Sequence, residues 1–375
     1  MSWKLDDSHI DDLVRGAALL GTGGGGDPHV GALLVRVAIR EYGAVTVLDV
    51  DDLDDLDLVI PTAQMGAPTV GAEKLPAGTE AVAAFLKLET HLDSKARATM
   101  PIECGGLNSM IPLQVAARLG VPVVDGDGMG RAFPELQMET FSIYGVSGSP
   151  LALAGENGET VIINTGEDNV RMERFARAIT VQLGGVAHIA NYAMTGADVK
   201  RTALPGTLAT CIRIGLTIRQ ARDSNSDPIV ALAKVLTTTI HGCLRVLQRG
   251  KVVDVQRNTD GGFVHGSARI TSADGNDELV VHFRNENITA VVNGRLVAVV
   301  PDLICVLEAD TAEPITTESL RYGQRVTVVG IGTPPSMRTA EALEVFGPAA
   351  FGLELDFTPV EELNEEELPT AASRE

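Results

Sequence analysis

The chain has 375 residues, 45% of them hydrophobic and 21% charged, which is enough apolar material for two folded domains and too much for a disordered polymer. Its 30 Lys and Arg against 50 Asp and Glu leave a net charge of −20, a field that repels phosphate backbones and argues against a nucleic-acid partner. No uncharged apolar run of about 18 residues occurs, and the acidic N-terminus lacks a basic region followed by an apolar stretch, so neither a membrane span nor an export signal is expected.

Residues 8–20 place Ile10, Leu13, Val14, Ala17, Ala18 and Leu20 at helical spacing, with Ser8 and Asp11 in a capping arrangement. Asp27 as N-cap and Pro28 as first residue predict a second helix over 28–40. From 44 to about 118, apolar runs at 45–48, 58–60 and 100–102 alternate with helical stretches at 80–90 and 109–119, the pattern of an α/β layer. A strand at 121–124 leads into a Gly- and Asp-rich loop, followed by apolar runs at 141–146, 151–154 and 160–163. Helices over 167–182, 206–222 and 228–238 come next, with an apolar segment at 186–190. Beyond residue 240, runs at 244–247, 252–255, 263–270, 279–283, 288–292, 296–300, 303–307 and 326–329 read as strands joined by Gly, Asn and Asp turns. The expectation is an α/β N-terminal domain over 1–240, a mostly β C-terminal domain over 241–360 and an acidic loose tail over 361–375.

Gly21-Thr22-Gly23-Gly24-Gly25-Gly26 satisfies the dinucleotide fingerprint as letters, but a helix precedes it where the fingerprint needs a strand, so no nucleotide is expected. Four glycines leading into Asp27 and a helix N-terminus read instead as a ligand loop, with Gly23, Gly24, Gly25, Gly26 and Asp27 as substrate-binding candidates.

The most informative stretches are 102–109 and 123–135. Both follow apolar strands, and ligands of open α/β sheets sit at the carboxyl ends of strands, so Glu103, Asn108, Asp125 and Asp127 are expected to converge as catalytic residues. Three carboxylates there, together with Glu135, suit either acid–base work or a divalent cation, for which Asp125, Asp127 and His188 are the candidate ligands; Arg131 and Glu135 are also substrate-binding candidates. Gly105 and Gly106 would let a substrate approach the backbone, and Arg131 either holds an acidic ligand or pairs with Glu135. Cys104 has no His close in sequence and reads as an inert thiol. The four cysteines show no C-x-x-C spacing, which fits reduced thiols in a cytoplasm.

Leu20–Pro28 (LGTGGGGDP), 103–109 (ECGGLNS) and 124–135 (VDGDGMGRAFPE) together resemble the S-methyl thiohydantoin desulfurase family, and Gly206-Thr207, Gly261-Gly262-Phe263 and 347–352 fit its second half. The resemblance covers nearly the whole chain. It implies a hydrolase of a five-membered cyclic thiohydantoin that releases methanethiol and leaves hydantoin, with a hydantoinase- or oxoprolinase-like protein as a possible partner. The functional expectation is therefore hydrolysis of a small ring, or of a related cyclic amide, by water that a carboxylate or a metal activates. The rival is a non-catalytic partner subunit of a hydantoinase-type enzyme. A homo-oligomer is expected on size alone.

Overall fold

The computed structural model describes residues 2–66, 70, 77–260 and 263–364, with only the main chain at 259 and 260. Gly261, Gly262 and the tail residues 365–375 therefore lie outside the described residues.

Nine strands form the first sheet: β1 (Trp3–Leu5), β2 (Val45–Leu48), β3 (Leu58–Gly66), β4 (Ala98–Pro101), β5 (Val123–Val124), β7 (Leu151–Ala154), β8 (Thr160–Ile163), β9 (Val186–Ala190) and β10 (Met194–Thr195). Its order is β1-β2-β5-β4-β3-β9-β7-β8, with β10 on β3. The centre, β2-β5-β4-β3, is parallel, and the remaining pairs are antiparallel. β3 reads as a near-continuous apolar run because helices cover it. A two-stranded ribbon joins β6 (Gly126–Asp127) to β11 (Leu204–Pro205). The second large sheet is wholly antiparallel and uses β12 (Leu244–Asp260), β13 (Phe263–Ser272), β14 (Glu278–Arg284), β15 (Glu286–Val292), β16 (Arg295–Val299), β17 (Leu303–Glu308) and β18 (Arg325–Ile331), in the order β16-β15-β14-β13-β12-β18-β17. The chain thus has the two-part architecture expected: a mixed helix-and-strand N-terminal part and a mostly antiparallel C-terminal part.

Helices Ile10–Leu20, Pro28–Tyr42, Thr207–Asp223 and Pro228–Leu236 lie between the two sheets, and their apolar faces share one core with Val45, Val47 and Val123 of the first sheet and Leu303, Val329 and Ile331 of the second. Among the described residues no helix is long and apolar enough to cross a membrane.

Several local expectations need amending. Asp6, rather than Ser8, opens the first helical segment: its carboxylate accepts from Ser8 N, and His9 completes a capping box over a short 3-10 turn before Ile10. The runs at 244–247 and 252–255 belong to one strand, β12, whose register shifts between Val246 and Gln248 and again between Val252 and Asp254. Of the run at 141–146, the first part is a helical turn, Thr140–Ile143. The tail is docked up to residue 364, since Glu361 pairs with Arg338 and Asn364 Nδ2 donates to Val297 O.

Helices Ile10–Leu20 and Thr207–Asp223 approach through glycines: a Cβ on Gly16 would sit 1.9 Å from Cys211 O, and one on Gly215 would sit 1.9 Å from Asp12 O. Gly215→Ala is expected to destabilise the fold by about 1–3 kcal/mol through overpacking, read as a lowered midpoint in thermal unfolding.

Candidate active site

The carboxyl ends of β3 and β4 open into a cleft of about 90 Å³, room for several waters or one small ring. Gln64, Glu103, Asn108, Gly25, Gly26, Glu135 and Arg177 line it on the N-terminal side, Asn285 and Glu286 close it from the antiparallel sheet, and Ile102, Met129, Phe133 and Leu136 supply apolar walls. Five of the residues expected from sequence meet here: Glu103, Asn108, Gly25, Gly26 and Glu135.

Glu103 lies just past β4 and is almost wholly buried. Its Oε1 accepts from Asn108 Nδ2 at 2.7 Å, while Oε2 has no partner. Asn108 is itself fixed, accepting from Gln64 N at 2.7 Å and donating to Gln64 O at 3.2 Å, so it orients Glu103 against the end of β3. Burial raises the Glu103 carboxyl well above the usual range; Asn108 opposes the shift, and Glu286 and Asp127 add to it. Across the cleft, Glu286 Oε1 accepts from Gly25 N at 3.2 Å, and its Oε2 is likewise unpartnered. Burial pushes Glu286 up to about 7, with Arg131 holding it from going further.

Sequence reasoning missed Glu286. Its only signal is the polar string Arg284-Asn285-Glu286-Asn287 between two strands, which looks like turn material.

The glycine run has a packing explanation. A Cβ on Gly24 would lie 2.3 Å from Glu286 Oε1, one on Gly25 2.7 Å from Gly105 O, and one on Gly106 2.3 Å from Gly25 O. The strap thus threads between the two halves with backbone against backbone, and only Gly25 and Gly26 face the cleft. Gly23 packs on Asn287, Asp27 is an exposed N-cap donated to by His29 N, and Gly105 and Gly106 lie behind the strap.

The other sequence candidates are placed elsewhere. Asp125 accepts from Leu208 N and Ala209 N, and burial lifts it to about 6. Asp127 accepts from Cys104 N and Gly130 N, and burial lifts it to about 7. Both carboxylates hold backbone turns instead of lining the cleft. His188 sits inside β9, brought down to about 4 by burial with Glu80 as its charged neighbour. Asp125, Asp127 and His188 thus contact separate parts of the fold, and among the described residues no three His, Cys, Asp or Glu side chains are placed to hold a metal ion.

Neither role expected of Arg131 is the one its contacts show. Its guanidinium is buried and donates to Thr22 Oγ1 and to the carbonyls of Ala132, Asn287, Pro301 and Asp302, while Glu135 pairs with Arg284 at 3.0 Å. Cys104 is buried with Thr207 Oγ1 3.0 Å from its sulfur, and burial raises its thiol, consistent with an inert role.

Behind Glu103 lies Glu139, wholly buried, with neither carboxyl oxygen partnered. Burial, then the charges of Asp127 and Glu103, raise it well above the usual range, so the folded chain holds this proton to higher pH than the unfolded chain does. Above the ordinary glutamate value near 4.3 the unfolded chain ionises here while the folded chain does not, so this residue costs stability as pH rises from that value toward the folded one. Glu139→Gln carries no such loss. Urea unfolding of the variant and the wild type should coincide near pH 4, with the variant pulling ahead by up to about 1.4 kcal/mol per pH unit above that.

Two family descriptions match the chain: the S-Me-THD-like N-terminal domain over residues 8–165 and the S-Me-THD-like C-terminal domain over 167–360. A protein from Chromobacterium violaceum with an X-ray crystal structure shares 25% identity at a TM-score of 0.81, covering 96% of this chain and 100% of that one. No curated protein matches. The motifs at 20–28, 103–109 and 124–135 and both matched domains assign the chain to one group: it belongs to the S-Me-THD-like family.

Proposed function

We propose that the chain hydrolyses a small five-membered cyclic substrate, an S-methyl thiohydantoin or a related cyclic amide, with Glu103 as general acid and Glu286 as general base. The observation that carries this reading is a ring-sized cleft with a buried carboxyl group on each side, each keeping one oxygen free of protein partners.

The two groups differ in the way acid–base catalysis needs. Burial holds the Glu103 carboxyl well above the usual carboxylate range, which favours its protonated form, and Glu286, at about 7, is divided between its two forms near neutrality. In the proposed cycle Glu286 takes a proton from water as the water oxygen bonds to the ring carbon that carries sulfur, and Glu103 gives its proton to the ring nitrogen. The tetrahedral adduct then collapses. Its hydroxyl proton returns to Glu103, the carbon–sulfur bond breaks, and the thiolate leaves with the proton held by Glu286. Water and thioimidate become carbonyl and thiol, and both carboxyl groups are restored. The Gly25–Gly26 backbone and Gln64 border the cleft where charge develops on the adduct. Water activation by carboxyl groups is favoured over a metal at Asp125, Asp127 and His188, because both oxygens of Asp127 and Oδ1 of Asp125 accept from backbone N–H groups, and His188 lies in a separate part of the fold.

Turnover of S-methyl thiohydantoin and of hydantoins, with thiol release and ring opening followed separately, tests the reading. Glu103→Gln and Glu286→Gln should each lose about 10²–10⁴-fold in kcat while remaining at least as resistant to unfolding as the wild type, since each removes a buried carboxyl with a raised pKa. Either variant turning over normally removes that residue from the chemistry, and silence of the wild type on every substrate overturns the hydrolase. In the wild type, kcat/KM should rise with pH through about 7 as Glu286 ionises and fall at higher pH as Glu103 loses its proton. Glu286→Gln should remove the rising limb.

A further inference from the structure

A volume of about 90 Å³ is filled by one small ring, so a larger substrate needs somewhere else to put its substituent. Next to the cleft is a second hollow of about 360 Å³, lined by Glu135, Val170, Arg174, Arg177, Val181 and Phe263 among others. Glu135 and Arg177 line both spaces, so the two hollows share a wall.

The outer hollow has a braced aromatic surface. Phe263 lies against two guanidinium groups, that of Arg177 at 4.6 Å and that of Arg284 at 4.2 Å from its ring centre. Each arginine is anchored in turn: Arg177 to Glu173 at 2.5 Å and to Pro134 O at 3.0 Å, and Arg284 to Glu135 at 3.0 Å. Val170 and Val181, on the helix Asn169–Gln182, keep 44% and 62% of their surface exposed on this side. Charge runs against the rest of the molecule here. In the lining Arg174 and Arg177 balance Glu135 and Glu173, and Arg284 adds a further cation against the Phe263 ring, in a chain of net −20. Arg174 is exposed at the surface of the hollow.

We propose that the outer hollow is a substrate subsite: the ring occupies the inner cleft, and a substituent on the ring passes Glu135 and Arg177, lays an apolar chain along Phe263, Val170 and Val181, and ends in a carboxylate at Arg174. The inference rests on the hydrolase reading and names its substrate class, a five-membered ring bearing an apolar substituent that terminates in an anion.

The full chain is assayed with three S-methyl thiohydantoins that carry, on the ring carbon opposite the sulfur-bearing side, hydrogen, an n-butyl chain or a carboxybutyl chain. The expected order of kcat/KM is carboxybutyl, then butyl, then hydrogen, with the differences in KM. Arg174→Glu should reverse the preference for carboxybutyl over butyl, a change of about ten-fold or more in their ratio. Val181→Asp, at an exposed position, should weaken butyl relative to hydrogen. Equal kcat/KM for the three compounds, or an unchanged ratio in Arg174→Glu, overturns the subsite. If no compound is turned over, the hydrolase reading fails, and calorimetric binding of the same three compounds decides the subsite separately. Tighter binding of the carboxybutyl compound to the wild type than to Arg174→Glu supports it, and equal or absent binding overturns it.

Discussion

The guanidinium of Arg131 is the fixed point on which the cleft depends. Its five N–H donors meet five oxygens: the Ala132 carbonyl, the Pro301 and Asp302 carbonyls, Thr22 Oγ1 and the Asn287 carbonyl. One side chain therefore ties the loop after β5, the glycine strap and the antiparallel sheet to one another. Asn287 N in turn donates to Thr22 O, and Thr317 N donates to Gly23 O, so the strap is stitched to the second sheet along its length. A cation so placed loses hydration, which brings it down to about 10, yet it stays charged at neutral pH. Its charge is what keeps Glu286 from rising further when burial alone would push it up. Fold and chemistry meet at this group, since the contacts that dock the two halves also set the protonation of one wall of the cleft.

A protein with an excess of acid still has to decide where its acids ionise. On the surface water does that work, and the aspartates at 51, 52, 54 and 55 are exposed. Inside, Glu103, Asp127, Glu139 and Glu286 lie close enough for several of their charges to interact, and burial is the largest cause of each shift. Low-dielectric surroundings disfavour charge on all four, and each group that does ionise makes its neighbours hold their protons harder. The result is graded: Asp127 and Glu286 sit near 7, while Glu103 and Glu139 are held well above the usual range. The polar contacts sort the same groups by role. Asp127 uses its oxygens on backbone N–H groups, whereas Glu103 and Glu286, both of which line the cleft, each leave one buried oxygen with no protein partner. An unpartnered buried polar atom costs about 1–3 kcal/mol, so two of them at one opening favour a ligand that supplies the missing bonds.

How much of this was legible in the sequence depends on how local each signal is. The helix Pro28–Tyr42 was readable because Asp27 and Pro28 mark its start within two residues, and the parallel strands were readable as short apolar runs between helices. Glu103 and Asn108 were found for the same reason, since they follow a strand and are five residues apart. Glu286 was not, because what makes it functional is its contact with Gly25, 261 positions away, and no local pattern carries that. The Asp-Gly-Asp-Gly motif misled in the opposite sense: acidic residues beside glycines look like ligands, but here backbone N–H groups occupy them, one from the local turn at Gly130 and the others from Cys104 and Leu208, 23 and 83 residues away. Arg131 shows the same limit, as its partners lie up to 171 residues away and most are carbonyls, which sequence does not distinguish.

The glycine strap shows why composition alone could not separate binding from packing. Glycine is required wherever two backbones approach within the reach of a Cβ, and Gly24, Gly25 and Gly106 each meet an oxygen at less than 3 Å from where a Cβ would sit. A ligand loop and a docking strap therefore have the same letters. In this chain the two roles are joined, because the strap that closes against Gly105 and Gly106 also offers the Gly25 N–H to Glu286 and leaves Gly25 and Gly26 as one border of the cleft. Side chains at these positions would push the two halves apart and separate Glu286 from Glu103, so the close packing of the strap is itself the condition for having two carboxyl groups at one ring-sized opening.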